Sequence, residues 1–306
     1  MKLSQHSWLV SLLSQYPHGC TLAEINDHWQ DSNSYNGRPI SRTSLFRARD
    51  TILNQLGILI ECEFHKGNSR YKIGNPSELQ RDSMKNWLYS NLTVGNLLAD
   101  HTVLKDHIIL ENTPVNTAHL NNILQAMRKH RLLEIEYKKY TENLSTKRTV
   151  APLALKLWRQ RWYLLAQDQR YEPCDFYQSL RVFSLNRIKD ISLTEFPFKM
   201  PADFSPQNYF SDYYGVLTNH DAKVERIVLR AYGQTPFYLR DLPLHESQRE
   251  IKSTEEYTDF ELFLKPTPDF VGHLLTHGTG VKIMSPSHLA EEMKTRLENM
   301  LKTYQM

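Results

Sequence analysis

The segment RWYLLAQD, residues 161–168, places a tryptophan, a tyrosine and a leucine side by side. Successive side chains of a β-strand point to opposite faces of the sheet, so a strand cannot bury all three on one face. We therefore expect Trp162 and Leu164 to fill the local core. Tyr163 should share the opposite face with Arg161 and Leu165, outside the local core.

The residues around this segment predict a small domain over residues 117–196. Apolar spacing indicates a helix over residues 117–130, and LLEIEYKKY, residues 132–140, has the composition of a strand. Two further strands flank a turn at residues 158–160, and the last strands follow RWYLLAQD. Short, basic strands after one helix predict a small β-barrel of the Sm or SH3-like type.

Charge is unevenly distributed along the 306 residues, whose formal net charge is +3. Residues 120–195 carry 14 Lys/Arg against 8 Asp/Glu, whereas residues 196–306 carry 12 against 15. A basic segment of this kind attracts polyanions. A solvated basic face without a partner is the alternative interpretation.

The composition excludes several classes of protein. No apolar run approaches the roughly 20 residues that a membrane span needs, and the N-terminus lacks the features of a signal peptide. Cys20, Cys62 and Cys174 are far apart and odd in number, which argues against a disulfide framework and a zinc knuckle. We expect a cytoplasmic protein without membrane, metal or cofactor.

Residues 1–75 predict a winged helix-turn-helix. TLAE at Thr21–Glu24 is a capping box that opens a second helix. Ser41 can cap a third helix that ends at Gly57, and a hairpin follows it. Linker helices are expected over residues 76–116.

Four arginines and no acidic residue occur between Arg38 and Arg49. Arginine and threonine at the start of a recognition helix suit base edges in the major groove, and basic residues near a hairpin tip suit phosphates. The candidate DNA-binding residues are Arg38, Ser41, Arg42, Thr43, Arg47, Arg49, Lys66 and Arg70. A small helical protein-interaction domain with solvated arginines is the alternative.

Residues 224–306 predict a third domain, after a linker over residues 197–223. Its element order βαββαβα is that of a ferredoxin-like fold. The residues of its last helix that are expected to face inward are Leu289, Met293, Leu297, Leu301 and Tyr304. The mildly acidic charge favours contact with protein over contact with DNA. The whole chain is therefore expected to have a multidomain α+β fold.

A family resemblance runs through the middle of the chain. The order of residues 150–153 (VAPL), 162–164 (WYL), 181–183 (RVF) and 185–188 (LNRI) resembles the signature of WYL-domain transcriptional regulators. DLPLHESQ, residues 241–248, is similar to the C-terminal extension of these regulators in its Bacteroidetes-like form. The resemblance extends over essentially the whole chain, and a winged helix is the usual N-terminal partner in this family.

The resemblance implies that the middle domain senses an effector, a nucleotide or a nucleic-acid fragment. Guanidinium groups bind phosphate through two parallel hydrogen bonds, and aromatic rings stack on bases. The candidate effector-binding residues are Tyr137, Arg148, Tyr163, Arg181 and Arg187. The alternative is that Tyr163 and Arg187 are structural and bond the backbone and a carboxylate.

These observations predict a homodimeric, effector-responsive DNA-binding regulator, because winged-helix proteins commonly occupy two half-sites. No catalysis is expected, since the motifs HExxH and GxSxG and a P-loop are missing from the sequence. His245 with Glu246 is the best catalytic candidate, and His245 is expected to be structural. An RNA- or single-strand-binding Sm-like protein without operator specificity is the alternative function.

Overall fold

A computed structural model describes residues 3–32, 35–65, 67–77, 83–100, 102–109, 117–171 and 174–305. Lys66, a candidate phosphate contact, lies outside the described residues. The chain divides into two compact units, residues 1–111 and residues 112–306.

The first unit combines helices with a small antiparallel sheet of order β1-β3-β2. Its elements are α1 (Leu3–Gln15), β1 (Cys20–Thr21), α2 (Leu22–Asp31), α3 (Arg42–Leu56), β2 (Ile60–His65), β3 (Asn68–Ile73) and α4 (Ser83–Asp100), followed by a 3₁₀ turn at Thr102–His107.

Capping residues set the limits of α2 and α3. The Glu24 amide donates to the Thr21 hydroxyl at 3.2 Å, and the Thr21 amide donates to the Glu24 carboxylate at 2.7 Å, which confirms the capping box. Ser41 accepts from the Ser44 amide at the start of α3. Gly57 ends α3 in the left-handed region, with φ 66°.

Two tryptophans meet in the core of this unit. The rings of Trp8 and Trp29 lie edge to face with centroids 4.8 Å apart. Leu45 and Ile52 of α3 are buried against the same cluster, and Tyr89 of α4 packs on it. A helix predicted as part of a linker therefore belongs to the core of the first unit.

The second unit contains a five-stranded sheet of order β7-β6-β5-β4-β8 and a four-stranded sheet of order β10-β11-β9-β12. The elements of the first sheet are α5 (Leu120–Lys129), β4 (Arg131–Tyr137), β5 (Thr146–Trp158), β6 (Arg161–Asp168), α6 (Phe176–Ser179), β7 (Leu180–Ser184) and β8 (Ile188–Pro197). The rest are α7 (Pro206–Ser211), β9 (Glu225–Tyr232), α8 (Thr235–Asp241), β10 (Arg249–Ser253), β11 (Tyr257–Leu264), α9 (Pro268–Leu274), β12 (Val281–Ser285) and α10 (Ser287–Gln305).

Strand β6 alternates as the sequence predicts. Leu164 is fully buried in the core beneath α5, and Trp162 packs against that core. Leu165 lies in a second core on the other face of the sheet. The predicted turn between β5 and β6 is also confirmed, since Arg159 and Gln160 both have positive φ, as a two-residue hairpin turn of type I′ requires.

The first sheet does not close into a barrel within the described part of the chain. Strand β8 pairs with β4, and β7 pairs with β6, which leaves β7 and β8 at the two edges. A 3₁₀ turn at Leu185–Arg187 carries the chain from one edge to the other without a ladder between them. The expected Sm- or SH3-like barrel is therefore not confirmed.

The order of elements from β9 to α10 agrees with the βαββαβα pattern of the sequence. The inward face predicted for α10 is wrong beyond its first turns. Leu289 is buried, but Leu297 is 50%, Leu301 is 59% and Tyr304 is 87% exposed. Among the described residues, no helix has both the length and the apolar character to cross a membrane.

Candidate functional site

A cavity of about 480 Å³ opens in the second unit beside the ends of β6 and β7. One wall is the first sheet, a second is α6, and the third is the segment after α7, residues 216–221. The lining residues are Tyr137, Tyr163, Tyr177, Gln178, Leu180, Arg181, Val182, Ser184, Arg187, Tyr209, Val216, Leu217, Thr218, Asn219, His220 and Asp221.

Four of the five candidate effector residues line this cavity, namely Tyr137, Tyr163, Arg181 and Arg187. Tyr163 lies there because the pleat of β6 turns it away from the core that buries Leu164. The structure therefore brings together side chains that are up to 50 positions apart in the sequence. Their binding of an effector stays a prediction.

Arg181 is held by backbone oxygens at the start of β7. Its Nη1 donates to the carbonyls of Gln178 and Leu180, each at 2.7 Å, and its guanidinium lies 4.2 Å from the centroid of the Tyr171 ring. No described carboxylate forms an ion pair with it. Because a guanidinium carries five N–H donors, those not used here can serve an anion.

Arg187 has a similar environment at the opposite end of the same wall. Its Nε donates to the Lys138 carbonyl at 3.0 Å, and its guanidinium lies over the rings of Tyr137, at 4.8 Å, and Tyr140, at 4.2 Å. The backbone contact of the alternative interpretation is thus present, but no ion pair with a described carboxylate accompanies it. Arg187 is positioned by its neighbours and keeps a net charge at the cavity.

Arg148 does not line the cavity. It is buried and forms an ion pair with Asp168, with Nη1 and Oδ2 3.1 Å apart. Asp168 is fully buried and also pairs with Arg170 at 2.9 Å. Burial alone would raise the pKa of Asp168, but the hydrogen bonds and charges of Arg170 and Arg148 lower it overall. Arg148 therefore neutralises a buried carboxylate within the sheet.

Aromatic rings lie on each of the three cavity walls. The Tyr177 ring is nearly parallel to that of His220, at 6.1 Å and 11°, and to that of Tyr209, at 6.5 Å and 17°. Burial raises the pKa of Tyr209 and of Tyr137, so both phenols stay protonated at neutral pH. Such faces suit a planar ligand.

The sequence interpretation missed the cavity wall at residues 216–221, because it assigned residues 197–223 to a linker. The signal that could have found it is aromatic content, because a solvated linker is poor in aromatic residues. Phe204, Tyr209, Phe210, Tyr213 and Tyr214 fall within eleven consecutive positions. Phe204 is buried, and Tyr209 and Phe210 pack against the second core of the first sheet.

In the first unit, the start of α3 carries exposed cations. Arg42 and Arg47 are exposed, as are Thr43 and Arg38, and none of the three arginines forms an ion pair with a described residue. Phe46 on the same helix is 61% exposed. Ser41 caps the helix through the Ser44 amide. The cap fixes where the first turn of α3 starts, and so fixes the position of these basic residues on it.

Arg49 and Arg70, also candidates for DNA contact, are engaged within the unit. The Arg49 Nε donates to the Ile60 carbonyl at 2.8 Å, which ties α3 to β2. Arg70 pairs with Glu24 at 3.1 Å and donates to the Gly19 carbonyl at 2.6 Å. Both arginines therefore hold the hairpin against the helices.

The described residues contain no group of His, Cys, Asp or Glu side chains arranged to hold a metal ion. His245 has both ring nitrogens occupied, since Nδ1 lies 2.7 Å from the Ser247 hydroxyl and Nε2 lies 2.7 Å from the Ser211 carbonyl. These contacts join the segment before β10 to the end of α7 and give His245 a structural role.

Two family models match the second unit. Residues 118–193 match the WYL domain, and residues 223–301 match the WCX domain. The chain is thus a WYL-domain protein with a WCX domain on the C-terminal side. The segment that forms the third cavity wall lies between the two matches.

Solved structures were also compared with the chain. The "Proteasome accessory factor B/C (PafBC) of Arthrobacter aurescens" is 19% identical with a TM-score of 0.37, over 97% of this chain and 46% of that chain. The chain thus spans less than half the length of that protein. A structure titled "Crystal structure of a CRISPR Cas-related protein" is 13% identical with a TM-score of 0.39, over 98% and 84% of the two chains. A search of the curated proteins found no match.

A histidine joins the two domains of the second unit. Arg159, in the β5–β6 turn, donates to Nδ1 of His273 at 2.8 Å and to the Tyr214 hydroxyl at 3.1 Å. Burial, followed by the charges of Arg159 and His277, lowers the pKa of His273 to about 4. His273 is therefore neutral in the folded protein at neutral pH and accepts a hydrogen bond that its protonated form cannot accept.

Acidification should destabilise the second unit through His273. In an unfolded chain its pKa is about 6.5, so between about pH 6.5 and pH 4 the unfolded state binds the extra proton. The free energy of unfolding should therefore fall as the pH decreases through this window. His273→Gln keeps an acceptor for Arg159 without a titrating group, and should flatten this part of the profile. Denaturant titrations across the window test this, and equal slopes in both proteins would contradict it.

Proposed function

We propose that this protein is a DNA-binding transcriptional regulator, in which the first unit is a winged helix-turn-helix and the WYL domain binds an anionic effector. The observation that carries the proposal is the exposed basic start of α3 in a chain that also has a WYL domain. We also propose that the protein has no catalytic activity and that it acts in the cytoplasm.

The first unit supplies the parts of such a reader. Helix α3 follows α1 and α2, and its exposed start presents Arg42, Thr43 and Arg47, side-chain types that bond base edges in the major groove. The β2–β3 hairpin follows α3 directly and is the proposed wing. Lys66 and Arg38 are the proposed phosphate contacts, whereas Arg49 and Arg70 brace the hairpin.

The cavity of the WYL domain suits an anionic, planar effector. Its volume of about 480 Å³ falls within the usual range for small-molecule sites. Arg181 and Arg187 bring two positive charges to one wall without an ion pair to any described carboxylate, and an anion offsets their mutual repulsion. Tyr163, Tyr177 and His220 supply aromatic faces. A nucleotide or a short single-stranded oligonucleotide carries both features.

The same cavity also favours a second function, an RNA- or single-strand-binding protein without operator specificity. Arginines beside aromatic rings are typical of single-strand sites. The two functions differ in whether duplex DNA binds through the first unit. Retention on immobilised duplex and single-stranded DNA over a salt gradient separates them, because the regulator should bind a selected duplex more tightly than any single strand.

Arg47→Ala should weaken binding to a duplex selected from a random library by about 1–3 kcal/mol and relax its sequence preference. Arg47→Lys should also lose preference, because it keeps the charge but not the two-pronged geometry. Asn54→Ala, an exposed position near the end of the same helix, is the control. Fluorescence anisotropy gives the affinities. Unchanged binding by Arg47→Ala would disprove the assignment of α3 as the recognition helix.

Arg187→Ala should abolish the response of DNA affinity to effector and leave the affinity without effector close to that of the wild type. The probe is a 5′-phosphorylated single-stranded oligodeoxynucleotide, and coupling of about 1–3 kcal/mol is expected. Arg161→Ala, exposed on the same sheet but outside the cavity, should respond as the wild type does. Circular dichroism shows whether each variant folds, and a folded Arg187→Ala that responds normally would place the effector elsewhere.

We also propose that the protein is a homodimer, because two recognition helices about 34–36 Å apart fit successive major grooves on one face of DNA. Native mass spectrometry should then give twice the mass of the chain, and the selected duplexes should contain two related half-sites. A monomer bound to a duplex without a repeat would contradict this.

A further inference from the structure

The third wall of the cavity begins at residues 215–217, a segment that we call the strap. The strap lies between the two family matches, at residues 118–193 and 223–301, so it belongs to neither domain. Residues 216–221 line the cavity directly. Whatever holds the strap therefore determines where one side of the cavity lies.

On the WCX side, the strap is held by Asp269 in the first turn of α9. Its Oδ2 accepts hydrogen bonds from the amides of Val216, at 3.0 Å, and Leu217, at 3.1 Å. Its Oδ1 accepts from the Thr267 hydroxyl at 2.5 Å and from the Phe270 amide at 3.1 Å. Both carboxylate oxygens are therefore fixed, and one of them serves only the strap.

On the WYL side, the strap is held by Lys156 of β5. Its Nζ donates to the Gly215 carbonyl at 2.7 Å and lies 4.2 Å from the centroid of the Phe210 ring. Burial lowers the pKa of Lys156 to about 8, although the charge of Asp269 opposes this. The amine donates to the carbonyl in either protonation state, so the contact holds across physiological pH.

Gly215 allows the backbone to come close to Asp269. A Cβ atom at this position would lie 2.2 Å from the Asp269 Oδ2 and 3.1 Å from its Cγ. The carboxylate is itself fixed by Thr267 and Phe270, so it cannot move aside without losing those bonds. The strap and Asp269 are thus fitted to each other at close range.

We propose that Asp269 of the WCX domain is a positioning residue of the effector pocket in the WYL domain. By holding the strap against α9, it makes the position of the third cavity wall depend on the WCX domain, so that binding in the pocket and the placement of α9 are coupled. This inference rests on the proposed function. It adds that the WYL domain cannot form the complete pocket without its C-terminal neighbour.

The test uses two variants that break the same contact from opposite sides. Asp269→Asn cannot accept on both sides, because its amide nitrogen replaces one acceptor oxygen with a donor. Gly215→Ala introduces the Cβ that meets the carboxylate. The matched control is Asp259→Asn, which removes a WCX carboxylate that pairs with Arg230 at 2.8 Å and does not touch the strap.

Two quantities are measured on the full chain. Isothermal titration calorimetry gives the affinity for the 5′-phosphorylated oligodeoxynucleotide, and hydrogen exchange gives the exchange rates of the amides of residues 216–221. Asp269→Asn and Gly215→Ala should each weaken binding of this probe by about tenfold, as expected for the loss of charge-assisted hydrogen bonds, and should accelerate exchange of the Val216 and Leu217 amides. The double variant should be no weaker than the single variants, because both remove one interaction. Asp259→Asn should bind as the wild type does.

The outcomes separate this inference from the proposed function. If the wild type binds the probe and Asp269→Asn binds it equally well, the positioning role is wrong and the proposed function stands. If Asp259→Asn weakens binding as much as Asp269→Asn, the effect is general destabilisation, and the positioning role is again wrong. If the wild type does not bind the probe, the effector assignment fails, and the inference fails with it. Faster exchange in Asp269→Asn at unchanged melting temperature supports a local role for the strap.

Discussion

The pleat of strand β6 is the constraint on which the second unit depends. Leu164 and Leu165 are adjacent and fully buried, but in different cores on opposite faces of the sheet. A shift of register by one residue would exchange the two faces, and Asp168 prevents it, because this buried carboxylate must stay beside Arg148. With the strand fixed in this way, Tyr163 lies where the second core ends and the cavity begins.

The arginines of this chain divide into two groups according to their surroundings. Where a carboxylate lies within reach, the guanidinium forms an ion pair and braces the fold, as Arg148 and Arg70 do. Where only rings and a few carbonyls are near, the charge stays available, as for Arg187. Net charge counts both groups alike, so a basic segment shows where anions are attracted without showing which residues bind them.

Features determined by local sequence could be predicted, and features determined by distant contacts could not. The Thr21 capping box and the alternation of β6 follow from short-range geometry. The burial of Arg148 depends on Asp168, which the pairing of β5 with β6 brings alongside, and no periodicity shows that. The apolar stripe of α10 predicted an inward face, but Leu297 is half exposed because the described part of the chain does not cover the later turns of the helix.

The hydrogen bonds of the strap join positions that are far apart along the chain. Val216 is 53 residues from Asp269, and Lys156 is 59 residues from Gly215, so closing these loops has an entropic cost that neighbouring strands do not bear. During synthesis, all five strands of the first sheet leave the ribosome before Asp269 does. The sheet and its arginines can therefore form early, whereas the third cavity wall is fixed last. Grafting residues 118–193 onto another protein would transfer the arginines and leave behind the enclosure that surrounds them.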